Sequence, residues 1–129
     1  MHKLFLSLGA GLAGLGVIFG AFGAHKLKEI APESVSTFQT GVQYQMYHAF
    51  ALILAAIVFE KISSKYIVWS GWSFLIGIIL FSGSLYVLAL LKATGKVGLG
   101  GIGIITPIGG LFFIAGWLFF LLGVLKKAP

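Results

Sequence analysis

The chain contains no cysteine, no arginine and no aspartate. Without a thiol there is no disulfide framework, no thiolate nucleophile and no cysteine-ligated metal. Its three acidic residues are Glu29, Glu33 and Glu60. All lie at the edges of apolar stretches, so no carboxylate is placed inside one, where proton-coupled transporters usually keep theirs. Charged side chains make up only 9% of the 129 residues. A soluble domain carries roughly 25%, because its surface must stay wetted. A water-soluble fold is excluded.

What fills the space is hydrophobic: 59% of the residues, with a mean hydropathy of +1.07. A membrane-spanning helix needs about 20 apolar residues. Four stretches are long enough, at residues 4–24, 42–60, 66–91 and 106–125. Met1-His2-Lys3 before the first imitates a secretory signal, with Ala21-Phe22-Gly23 as a cleavage site. That run is longer than the usual h-region and dense in glycine, so a retained first span is the better reading.

The connections differ in character. Lys61-Ile62-Ser63-Ser64-Lys65 is short enough to force an antiparallel hairpin. Pro32-Glu33-Ser34 is a helix-start signal, and Val35, Phe38, Val42 and Met46 follow at helical spacing. They predict an amphipathic extension of the second helix, lying in or near the interface. Residues 92–105 are glycine-rich and read as an exposed loop or a non-helical stretch against protein. Pro107 then falls in the first turn of the last helix, where its missing N–H costs little. The expected architecture is an all-α integral membrane protein with one domain over residues 1–129. Its four transmembrane helices form an antiparallel bundle, with the amphipathic extension before the second.

The formal net charge is +6, from nine lysines. Each lysine flanks an apolar run, so they read as headgroup anchors rather than as a nucleic-acid surface. Lys3, Lys61, Lys65, Lys126 and Lys127 fall on the side of the termini, and Lys26, Lys28, Lys92 and Lys96 on the other. Five against four places the termini inside. Tyr66, Trp69 and Trp72 form an interfacial belt.

Nineteen glycines need a separate reason. Gly9, Ala13, Gly16, Gly20 and Gly23 step by four, three, four and three along the first helix. Gly109, Gly116 and Gly123 repeat every seven in the fourth, and Ser70, Ser73, Gly77 and Ser84 follow a similar line in the third. Small residues at this spacing let helices approach closely in lipid, within the chain or between copies. Lining a pore is the alternative. Gly98-Leu99-Gly100-Gly101-Ile102-Gly103 satisfies the dinucleotide pattern G-x-G-x-x-G. That pattern requires a preceding strand and an acid about 20 residues later, and no acid follows Glu60. No cofactor is expected.

Ionisable groups at membrane depth are the natural functional candidates. His48 lies well inside the second span, with Tyr44 one turn before it, while Gln43 and Tyr47 pair on a neighbouring face. A hydrogen-bonded cluster that locks the helix explains them. A proton or ligand site is the sharper reading, because a neutral imidazole both donates and accepts. His25 ends the first apolar run beside Lys26 and Lys28, suiting a helix C-terminus; a pairing with His48 is the alternative. Two imidazoles without a carboxylate or thiolate at depth make a poor metal set. Ser82 and Ser84 lack a matched base for catalysis.

Four blocks are distinctive together: Phe19-Gly20-Ala21-Phe22-Gly23-Ala24-His25; Phe38-Gln39-Thr40-Gly41-Val42-Gln43-Tyr44-Gln45-Met46-Tyr47-His48-Ala49; Phe81-Ser82-Gly83-Ser84-Leu85-Tyr86; and Ile105-Thr106-Pro107-Ile108-Gly109-Gly110 continuing to Gly116-Trp117. In this order they resemble the YgdD/YwdK-like family of small multi-pass membrane proteins of unknown function, which is bacterial with mitochondrial relatives. The resemblance covers nearly the whole chain. It implies a four-helix membrane protein without an assigned reaction. One departure is the long, glycine-laden connection before the Thr-Pro-Ile-Gly-Gly block, which the family usually makes shorter.

The expected function is that of a non-enzymatic structural or interaction protein packing through glycine-rich helix faces. Membrane lipid, a second copy or another membrane protein is the expected partner, and nucleic acid is not. The alternative is a small transporter or channel with a polar site around His48, Tyr44 and Gln43. The expected location is the bacterial plasma membrane, with both termini cytoplasmic.

Overall fold

A computed structural model describes residues 2–95 and 100–126. Among these there is no strand, and four helices are long and apolar enough to cross a membrane. They are α1 (His2–Ile30), α2 (Pro32–Lys61), α3 (Lys65–Ala93) and α4 (Gly100–Leu125). At 1.5 Å per residue the first three are each about 43 Å long. That exceeds a hydrocarbon core of about 30 Å, so their ends reach the headgroups. Lys26, Lys28, Glu29, Glu33 and Lys92 lie exposed at one end, and Lys3, Lys61, Lys65 and Lys126 at the other.

The chain runs antiparallel through neighbouring helices. The α1 glycines meet α2 in descending order: Gly9 faces Ala49 and Ile53, Gly16 faces Met46, Gly20 faces Val42, and Gly23 faces Gln39 and Phe38. A second seam joins α3 to α4, where Gly77 lies under Phe113, Gly109 against the Phe81 backbone, Gly116 under Phe74 and Gly123 against Ile67. Both glycine lines are thus occupied inside one chain. Phe5, Leu52, Phe74 and Phe113 fill the core on the side of the termini, and Leu27, Phe38, Val42 and Ala89 fill it on the other.

Three boundaries depart from the sequence expectation. Helix α1 does not stop near Ala24; it continues to Ile30 through a π-helical turn at Gly23–Leu27, because Leu27 is buried in the core. Ala31 is then the one non-helical residue before Pro32. Its φ of −154° breaks the helix, and its carbonyl takes the Ser34 N–H at 3.0 Å. The expected amphipathic extension is collinear with α2, not laid flat at the interface. Phe38 is buried there among Phe19, Phe22 and Tyr86.

The third departure concerns residues 92–105. Helix α4 begins at Gly100, so residues 100–105 are helical and Pro107 sits inside a helix, not in its first turn. In lipid an unpaired backbone costs several kcal/mol per group, which outweighs the poor helix propensity of glycine. Gly98 and Leu99 of the G-x-G-x-x-G pattern, with Lys96 and Lys127, lie outside the described residues. A second π-helical turn, Ile78–Ser82, interrupts α3 opposite Gly109. The α2–α3 hairpin is tight: Ser64 caps α3 by accepting the Tyr66 N–H at 3.1 Å.

Candidate functional site

His48 faces inward from the middle of α2 and is 4% exposed. Its ring lies parallel to that of Phe113 on α4, with centroids 3.6 Å apart and planes within 9°. The Trp117 indole Nε1–H donates to His48 Nε2 at 3.0 Å. An indole can only donate, so Nε2 is the acceptor and Nδ1 carries the proton. Nδ1 in turn donates to the Tyr44 carbonyl one turn earlier, at 2.8 Å. Both ring nitrogens of a neutral imidazole are therefore engaged.

Beside this cluster a groove of about 630 Å³ opens between α2 and α4, lined by Tyr44, Tyr47, His48, Phe81, Phe113 and Trp117. Pro107, Leu111 and Ile114 of α4 complete an apolar wall whose larger part is aromatic. The Tyr44 ring packs 4.7 Å from Phe81 and at 63° to Tyr47, centroid to centroid 5.7 Å. Gln43 Nε2 donates to the Tyr47 hydroxyl at 2.6 Å on the exposed face of α2. The structure thus brings His48, Tyr44 and Tyr47 to one groove, with Gln43 at its rim. His25 is not part of it: it is exposed on the π-helical turn of α1, at the headgroup end, and does not pair with His48.

The more deeply joined polar cluster was not anticipated. Tyr86 on α3 donates its hydroxyl to Gln45 Oε1 at 2.5 Å, and Gln45 Nε2 donates to the Leu12 carbonyl on α1 at 2.7 Å. One buried amide therefore ties three helices together. Gln39 repeats the device nearer the headgroups, donating to the Gly20 carbonyl at 3.2 Å. Ser82 donates to the Gly41 carbonyl at 2.6 Å, and Ser84 shares a 2.5 Å hydrogen bond with Thr106. Both serine hydroxyls are thus engaged in contacts between helices. Among the described residues the buried hydroxyls of Ser34 and Ser70 have no partner.

Trp117 stands in the sequence only as the end of the fourth distinctive block, with no partner assigned. Its signal was the step of four from Phe113, which puts both aromatics beside the glycine seam at Gly116. Among the described residues no group of three or more histidine or acidic side chains could hold a metal ion.

The arrangement joins helices and presents an aromatic groove to the lipid side. A family described as "Protein of unknown function (DUF423)" matches residues 19–110. The chain is 42% identical over 125 residues to UPF0382 membrane protein SH2409 of Staphylococcus haemolyticus, covering 96% of this chain and 97% of the relative. It is 40% identical over 126 residues to UPF0382 membrane protein YwdK of Bacillus subtilis, covering 96% and 98%. It is 36% identical over 130 residues to UPF0382 inner membrane protein YgdD of Escherichia coli K12, covering 98% and 93%. No solved structure matches. With this coverage and four helices long enough to span a bilayer, the chain belongs to the UPF0382 (DUF423) family of membrane proteins.

Proposed function

We propose that the protein is a non-enzymatic structural or interaction protein of the bacterial plasma membrane, acting as a compact helical unit. The observation that carries this reading is how its membrane-depth polar groups are used. Among the described residues His48, Gln45, Gln39, Ser82 and Ser84 each bond to another group of the same chain, while the buried Ser70 and Ser73 hydroxyls do not. Polar side chains used this way join helices and leave no open relay across the bundle. Both glycine lines are likewise taken up between helices of one chain. A second copy or another membrane protein then meets the outward, lipid-facing surfaces.

The second reading is a small transporter or channel working at His48, Tyr44 and Gln43. The groove beside His48 favours it. Reconstitution into vesicles separates the two: ion and proton flux should equal that of empty vesicles for wild type and for His48→Gln. Flux above that level that falls in His48→Gln overturns the structural reading.

A further inference from the structure

At the end of the bundle that carries the termini, the start of α3 meets the end of α4 through Gly123 and Ile67. Two lysines converge there on one aromatic ring. Lys65 Nζ lies 5.8 Å from the Tyr66 centroid and Lys126 Nζ lies 5.9 Å from it. Lys65 Nζ is also 5.5 Å from the Trp69 ring. Trp69 is held edge-on by Phe119 at 5.6 Å and by Tyr66 at 5.5 Å. The corner thus gathers two ammonium groups within 5.9 Å of one ring that is packed against Trp69, at the level where apolar helix gives way to charge.

Two like charges gathered on one ring repel each other unless an anion lies between or beside them. Among the described residues, the sole acid at this end is Glu60, and it pairs with His2 at 3.3 Å. Glu29 and Glu33 lie at the opposite end of the bundle. Both lysines are exposed, and Trp69 is 44% exposed. Aromatic rings at this depth pack along the upper acyl chain while the ammonium groups meet the headgroup. Charge, depth and shape fit the same molecule.

We infer that the Lys65–Tyr66–Trp69–Lys126 corner is a binding site for the phosphate of an anionic phospholipid. The lysines supply the charge, and the rings hold them in place and give the acyl chain a wall. A lipid is favoured over a free phosphate ion because the aromatic rings beside the lysines are apolar and face the bilayer. Each lysine near an anionic surface contributes attraction worth about fivefold in apparent affinity.

The test is native mass spectrometry of the full chain released from mixed phosphatidylcholine and phosphatidylglycerol nanodiscs. The wild type should retain phosphatidylglycerol in preference to phosphatidylcholine. Lys65→Gln and Lys126→Gln should each lower retention about fivefold, and the double variant more. Lys126→Arg should retain the lipid, and Lys92→Gln, at the opposite end, should match wild type. Equal retention of the two lipids, an equal loss in Lys92→Gln, or displacement of phosphatidylglycerol by inorganic phosphate at matched concentration overturns the proposal. All four substitutions change exposed side chains, and a matching elution volume and helicity show that each variant is folded.

Discussion

His48 and Trp117 are 69 positions apart, yet the indole of one donates to the imidazole of the other at 3.0 Å. The bond links α2 to α4, helices that are not consecutive in the chain, beside the groove between them. It also fixes the tautomer, since Nε2 accepts while Nδ1 donates to Tyr44 within α2. For His48 to take a second proton on Nε2, the link to Trp117 must open first.

The strength of that link is measurable by a double-mutant cycle. Trp117→Phe and His48→Phe should each destabilise the fold, and the pair should cost less than their sum. The coupling expected for an interhelical hydrogen bond in a membrane protein is about 0.6 to 1.7 kcal/mol. Unfolding in mixed micelles of increasing denaturing-detergent fraction gives the value, and strictly additive losses would remove the bond from the account.

The Gln45 node predicts a graded response. Tyr86→Phe removes one partner of Oε1 and should cost about 1 kcal/mol. Gln45→Leu removes both interhelical bonds at once and should cost more, although its apolar side chain suits the site. The same unfolding assay ranks the two. Equal stability of Gln45→Leu and wild type would mean that the amide is dispensable for joining α1 and α3 to α2.

Glycines of one type should differ sharply by position. A Cβ added at Gly109 would fall 2.8 Å from the Phe81 Cα, which is backbone and cannot swing away. At Gly16 the nearest atom is the thioether of Met46, a flexible side chain, and at Gly11 nothing lies within 4 Å. Alanine should therefore destabilise most at Gly109, by about 1–3 kcal/mol or more as overpacked cores do, less at Gly16, and negligibly at Gly11. Gly116→Leu should be worse than Gly116→Ala, since Phe74 already lies 2.6 Å from the added carbon. Thermal aggregation in detergent reads the order, and a Gly11→Ala loss equal to that of Gly109→Ala would contradict it.

Orientation is open to a direct chemical test, because the chain has no cysteine of its own. With the termini cytoplasmic, Ser63→Cys in the α2–α3 hairpin should be protected from an impermeant thiol reagent in intact cells. Glu33→Cys, at the opposite end, should be labelled. The reverse pattern would invert the proposed topology.

Much of the architecture was written in the one-dimensional pattern. Lysines border apolar runs, so the number of spans and the tight hairpin at Ser63-Ser64 were readable. The ends of helices were not. His25 and Lys26 look like a helix terminus, but burial of Leu27 carries the helix on to Ile30. Gly100, Gly101 and Gly103 look like a loop, because helix propensity is measured in water, and lipid removes the water that makes a loop cheap. His48 was legible as an ionisable group at depth. Trp117 was not, because it belongs to a helix already rich in aromatics, and only the folded arrangement aims one of them at an imidazole. Gln45 stood in the sequence only as a member of the second distinctive block, three residues before His48. Its own importance depends on Leu12 and Tyr86, one on each of two other helices.

The single non-helical residue at Ala31 has a consequence for how the protein is made. With one residue joining α1 to α2 and three joining α2 to α3, no span can reverse its direction during insertion while its neighbours keep theirs. The nascent chain must commit its first three helices as one zigzag, so topogenesis becomes a single binary choice. A shift of one or two lysines should then turn a molecule over as a whole and never one of its segments alone. For a chain whose border charges are nearly balanced, that rigidity confines each molecule to one of two complete and opposite topologies, with no partly inverted form between them.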